Sequence, residues 1–200
     1  MSKSKGKTET EEKHDSTIKV DKLEKQENGA WKIKGEIIIG SSLESIYSIL
    51  TDYPNLVNVI PNCVTSEVIK TDGAATRVRQ VVKKNVALGI KITAKAVYDF
   101  QQKEKENLPD RVKRDLDVNL VEGDFQTYVA KWTIEQRKKA KSEESPDAEQ
   151  LELQSTVTFA VEMKPSPWIP FSLLEGKIGH DLRDQLTSLK NQILKRAATA

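Results

Sequence analysis

Few side chains in this sequence are equipped for acid–base or nucleophilic chemistry. Its 200 residues include two histidines and one cysteine. His14 lies in a leading stretch, MSKSKGKTETEEKHDS, that has no apolar residue after Met1. His180 falls opposite the stripe formed by Ile178 and Leu182 on a helical projection, so it is expected to face water. No inward histidine remains to build a Ser/His/Asp or Cys/His arrangement. A lone Cys63 excludes an intrachain disulfide and a thiolate metal cage. Glycines occur singly, so no phosphate-cradling loop is present. No catalytic residue, metal or cofactor is expected. Asp52 and Asp124 fall at element boundaries, where capping or turn duty is the expected role.

Two polar residues on inward-reading strand faces carry more information. Gln80 shares a face with Val78, Val82 and Val86, and Arg114 shares one with Val112, Leu116, Val118 and Leu120. An arginine there must be paired or wetted, because an unpaired buried charge is very costly. It is either a polar anchor for the carbonyl or acidic head of a ligand, or the mark of a bulge or a solvent-open strand end. Ala94 and Ala96 leave mid-strand volume, which fits a cavity or a close approach by a helix.

The elements that position these residues follow from periodicity. Residues 1–16 cannot offset ordering entropy by burial and are expected to form a disordered tail; the domain proper is expected over 17–196. Asn28-Gly29 predicts a tight hairpin before Trp31, Ile33, Ile37 and Ile39. Ser41 and Glu44 fit a capping box that opens a helix with Leu43, Ile46, Tyr47 and Leu50 on one stripe. A second short helix starts near Pro54. Alternation then predicts antiparallel strands at about 63–70, 76–86, 90–102, 111–121, 125–136 and 150–163. The stretch 137–150, four basic residues followed by four acidic ones, reads as a mobile charged loop. Finally Phe171, Leu174, Ile178, Leu182, Leu186, Leu189 and Ile193 recur at helical steps. Such a stripe needs a large apolar surface, so the expected fold is α+β, a curved antiparallel sheet wrapped around a long C-terminal helix. Gly176 and Gly179 interrupt that helix, permitting close backbone approach or local give.

The longest apolar runs are three residues, Ile37-Ile38-Ile39 for example, far short of a membrane helix. Lys and Arg number 32 against 30 Asp and Glu, too near balance to announce a nucleic-acid protein by total charge. Arg77, Arg79, Lys83, Lys91, Lys95, Arg111, Lys113 and Lys131 are expected on the outer sheet face, together with Asp99, Asp115 and Asp117. That face is either simply solvated or a docking surface for acidic lipid or RNA. The leading stretch lacks the apolar core of a secretory signal, so the expected compartment is the cytosol, with a plastid or a membrane periphery as alternatives.

Several segments carry a family resemblance: Lys34 to Ile39, Leu50-Thr51-Asp52-Tyr53-Pro54-Asn55-Leu56, Ile60-Pro61-Asn62, Val78-Arg79-Gln80-Val81, Val121-Glu122-Gly123-Asp124-Phe125 with Trp132, and Ile169-Pro170-Phe171 leading to Asp181-Leu182-Arg183. Over residues 30–190 the chain resembles the START-like superfamily, also called SRPBCC or Bet v 1-like. Within it, the likeness is to the polyketide cyclase/dehydrase and coenzyme Q-binding branch, especially members from photosynthetic microbes and plastids. The resemblance implies a helix-grip fold with an apolar tunnel between sheet and C-terminal helix, holding a lipid, isoprenoid or quinone. The walls are then expected from Gln80, Val82, Ala94, Ala96, Tyr98, Arg114, Leu116, Val118, Tyr128, Trp132 and Phe159, with Leu174, Ile178 and Leu182 from the helix. The connector Pro165 to Phe171 exposes Trp168, Ile169 and Phe171, as a lid on the core or a gate that touches membrane. Binding, transport or presentation of the apolar molecule is the expected activity. One alternative is a polyketide aromatase/cyclase in which Arg114 or Tyr98 polarises the substrate; the missing inward acid–base pair counts against it. Another is an RNA- or ribosome-associated module that uses the basic face.

Overall fold

The computed structural model describes residues 17–85, 91–138, 154–169 and 171–199. The expected tail 1–16, and the expected charged loop beyond Lys138, lie outside the described residues. In chain order the strands are β1 (Ile18–Val20), β2 (Glu24–Lys25), β3 (Trp31–Gly40), β4 (Cys63–Asp72), β5 (Ala75–Asn85), β6 (Lys91–Gln102), β7 (Glu106–Asn107), β8 (Arg111–Gly123), β9 (Phe125–Arg137) and β10 (Gln154–Pro165). Helix α1 spans Leu43–Leu50 and is followed by a 3-10 segment, Tyr53–Asn58; a second 3-10 turn, Phe171–Leu173, leads into α2, Glu175–Ala197.

The strands form one antiparallel sheet in the order β1-β3-β10-β9-β8-β6-β5-β4, with β2 on β3 and β7 on β8. Alternation selects the faces. Along β3, Ile33, Ile37 and Ile39 are buried while Lys32, Lys34 and Ile38 are exposed. Along β10, Val157, Phe159 and Val161 go inward between half-buried neighbours. The inner face is covered by α2, whose Leu182, Leu186, Leu189 and Ile193 are all buried. Gly35 makes this close approach feasible, since a Cβ there would lie 2.9 Å from Leu186 Cδ1. The sheet and C-terminal helix expected from the sequence are both present. No helix among the described residues is long and apolar enough to cross a membrane.

Two local expectations need correction, and one of two alternatives is decided. The helix α1 is capped by Ser42, whose Oγ accepts the Ser45 N–H at 3.2 Å; Ser41 stands one residue outside and its carbonyl accepts the Ser155 hydroxyl. Glu44 bonds Lys105 instead of closing a capping box. The Asn28-Gly29 pair sits within a longer loop, because β2 and β3 pair at Lys25 and Trp31. Only Gly29 has positive φ, while the Asn28 side chain accepts the Ala30 N–H. Nothing lies within 4 Å of a Cβ placed at Gly176 or Gly179, so close backbone approach does not explain either glycine.

Candidate ligand-binding cavity

A cavity of about 260 Å³ lies between the inner sheet face and α2. Strand alternation builds its walls. Gln80, Val82 and Lys84 face inward from β5, in register with Ala96, Ala94 and Ile92 of β6. Tyr98 and Phe100 continue the β6 wall, and Val118 joins from β8. Tyr128 and Trp132, four residues apart and so on one face of β9, stand beside Phe159 of β10. From α2 come Ile178, Asp181, Leu182 and Gln185, a helical i, i+3, i+4, i+7 face. Leu174, Ile169 and Phe171 close one side of the cavity. Ala94 and Ala96 leave space where larger side chains would fill it.

Of the residues singled out from the sequence, Arg114, Leu116 and Trp168 do not line this cavity. The Arg114 guanidinium lies 3.7 Å from the centre of the Tyr47 ring and its Nε donates to the Lys103 carbonyl. It is therefore neither unpaired nor bulged out; α1 covers this part of β8 and supplies an aromatic partner. Leu116, two residues further on, is 1% exposed within the core. Trp168 is 55% exposed, whereas its neighbour Ile169 is buried. Sequence reading missed Lys84, Asp181 and Gln185. Lys84 shares the β5 face of Gln80 and Val82, and the other two follow from helical spacing to Ile178, so the signal was present.

The polar groups in this wall differ in how far they are committed. Lys84 Nζ donates to Asp181 and ties β5 to α2. Gln80 Nε2 donates to Ser66 Oγ at 3.4 Å, and that hydroxyl donates to the Tyr53 carbonyl at 2.6 Å. Among the described residues nothing donates to the Gln80 amide oxygen. The rings of Tyr98 and Tyr128 lie 5.0 Å apart between centres and tilted by 53°, and neither hydroxyl bonds any described residue. Burial pushes both phenols well above their ordinary pKa, so they stay protonated and able to donate. Among the described residues no cluster of His, Cys, Asp and Glu could hold a metal ion.

The two boundary aspartates have structural partners. Asp124 accepts the Lys95 N–H at 2.7 Å through its carboxylate and returns its own N–H to the Lys95 carbonyl. This seats the β6–β8 irregularity, where Gly123 has a φ of 140° and a Cβ would lie 2.4 Å from the Lys95 oxygen. Asp52 makes no side-chain cap; it binds Asn55 and pairs with Arg196 of α2 at 2.6 Å. His180 is exposed, as its helical position predicts. On the outer face Arg77 is bidentate to Asp99, Arg79 lies near Glu67, Arg111 near Glu135, and Lys113 and Lys131 flank Asp115. Much of its positive charge is thus matched locally.

Solved structures share this architecture. A STAR-related lipid transfer protein from Xanthomonas axonopodis matches with a TM-score of 0.66 and 16% identity, over 89% of this chain and 94% of that one. Human StAR-related lipid transfer protein 5 matches at 0.67 and 12%, over 91% and 84%. The Zhui aromatase/cyclase of a Streptomyces species matches at 0.59 and 9%, over 84% and 96%. At these identities the likeness is one of fold, the open antiparallel sheet closed by a C-terminal helix. A comparison with curated proteins finds no match. Residues 39–190, from the end of β3 to the middle of α2, match the model of the family described as polyketide cyclase / dehydrase and lipid transport, and the chain belongs to that family.

Proposed function

We propose that the chain binds an elongated apolar molecule with one polar end, such as an isoprenoid, a quinone or another lipid, and carries or presents it without chemical change. The carrying observation is the cavity itself: its wall is built from apolar side chains of six strands and α2, with a few hydrogen-bonding groups among them. Membership in a family described by lipid transport as well as cyclisation supports the reading. Among the described residues of the wall the one carboxylate, Asp181, is held by Lys84.

Trp132 lines the cavity, lies 4.3 Å from the Phe159 ring and is 4% exposed, so it reports occupancy. In a variant with Trp31→Phe and Trp168→Phe, titration with a prenylated benzoquinone should quench Trp132 fluorescence with micromolar or better affinity. No quenching, and no retention of any apolar probe on gel filtration, would remove the binding role.

Exchange with a membrane is supported by the connector after β10. Ile169 and Phe171 line the cavity while Trp168, just before them in the chain, is largely exposed to solvent. Tryptophan favours the headgroup level of a bilayer. Trp168→Ala should slow transfer of the quinone from anionic vesicles, with affinity for dispersed quinone nearly intact. A variant that loses several degrees of thermal stability and transfers normally would return Trp168 to a packing role.

A further inference from the structure

The cavity wall is specific about charge. Lys84 is the one cationic side chain among its described residues, and its ammonium is already held by Asp181. Arg114, the other inward cation of the neighbouring strands, is engaged with Tyr47 and the Lys103 carbonyl. A carboxylate entering the cavity would therefore leave water without a free counter-ion, at a cost of several kcal/mol. Cys63 and Asp124, outside the wall, act electrostatically on Tyr98 in the direction that disfavours negative charge there. Within the wall, Asp181 comes from the helix side and the Tyr128 phenol from β9.

Against this stands a pair of donors with nothing to donate to. Tyr98 is 8% exposed, its ring is 5.0 Å from that of Tyr128, and neither hydroxyl has a partner among the described residues. Neither hydroxyl is sealed away from a ligand, unlike the unpartnered and fully buried Tyr47 hydroxyl. A carbonyl oxygen has two lone pairs and can accept from both phenols at once.

We infer that the polar end taken by this cavity is an uncharged carbonyl, of a ketone, quinone or ester, received by the hydroxyls of Tyr98 and Tyr128, and that carboxylates are rejected in their ionised form. The inference rests on the binding role proposed above and narrows it to a ligand class. A fatty acid then enters only after taking up a proton. Its apparent affinity should fall about tenfold per pH unit above the pKa of the free acid, because the bound state carries one more proton than the dominant species in solution.

The test uses the full chain and displacement of Nile red, an uncharged dye, by 2-dodecanone, laurate and dodecane. At pH 8 the ketone should bind at least about tenfold more tightly than laurate, and laurate affinity should rise steeply as pH falls to 6. Tyr98→Phe and Tyr128→Phe, which keep the rings, should each weaken 2-dodecanone by roughly threefold to tenfold and leave dodecane unchanged. Laurate that binds as tightly as the ketone at pH 8 with a flat pH profile overturns the inference and leaves the cavity intact. Equal losses for ketone and hydrocarbon in both variants overturn the tyrosine assignment. If none of the three compounds displaces Nile red from wild-type protein, the binding role itself fails. The wild-type pH profile decides the charge question even where a tyrosine variant does not fold.

Discussion

A methyl group at position 35 would meet Leu186 Cδ1 at 2.9 Å and Leu182 at 3.0 Å. Gly35→Ala should therefore destabilise the fold by about 1–3 kcal/mol through overpacking between β3 and α2, read as a lower urea midpoint at unchanged slope. Arg114 teaches a different lesson. Alternation along β8 placed it on the inner face, and the inner face is where it lies, stacked on Tyr47. Period two tells which face a residue takes but not what covers that face at each point along the strand. The covering element here is α1, distant in sequence, so the boundary between cavity and packed core was invisible. Arg114→Leu should accordingly leave quinone affinity unchanged while costing about 1 kcal/mol of stability from the lost cation–π contact. Parallel fluorescence titration and urea unfolding separate the two effects. The Lys84–Asp181 pair was hidden for the same reason, since its partners come from β5 and α2 and no local pattern joins them.

At the scale of elements, strand boundaries were legible because the sheet is antiparallel with one covered face, which imposes an alternation that is clean along β10 and weaker along β4 and β6. Caps and turns were less so, since Ser41 and Ser42 differ by one position and only the packing of Ser155 on the Ser41 carbonyl separates them. In α2, Gly176 and Gly179 have open space around them. Gly179→Ala should stabilise the protein by about 1 kcal/mol on helix propensity alone, raising the melting temperature. A rise in stability accompanied by slower quinone release would assign the glycine to give in the helix near Ile178. Between strands, the Arg77 guanidinium holds the Asp99 carboxyl below its ordinary pKa by a bidentate contact. A folded-state pKa below the unfolded value means the stabilisation is present above the unfolded pKa and disappears as pH falls through the folded one. Asp99→Asn should be less stable than wild type at neutral pH, with the difference closing in urea titrations as pH falls through the lowered pKa of the folded carboxyl. The pair is partly exposed, so the whole effect should be small and weaken with salt.

Over the whole molecule, the space left beside Ala94 and Ala96 has a consequence for how long the protein survives. An empty apolar volume forgoes packing that a filled core would have. A molecule held only by the folded state restores those contacts and stabilises it by about 2.7 kcal/mol when its free concentration is a hundred times its dissociation constant. Occupied and empty protein should thus differ in melting temperature by several degrees, measurable by scanning calorimetry after delipidation and reloading with the prenylated quinone. In a cell, where proteolysis tracks the unfolded fraction, such a difference changes abundance several-fold. Turnover of this protein would then follow the supply of its cargo, with unladen copies cleared first and the pool adjusting to demand without any dedicated sensor.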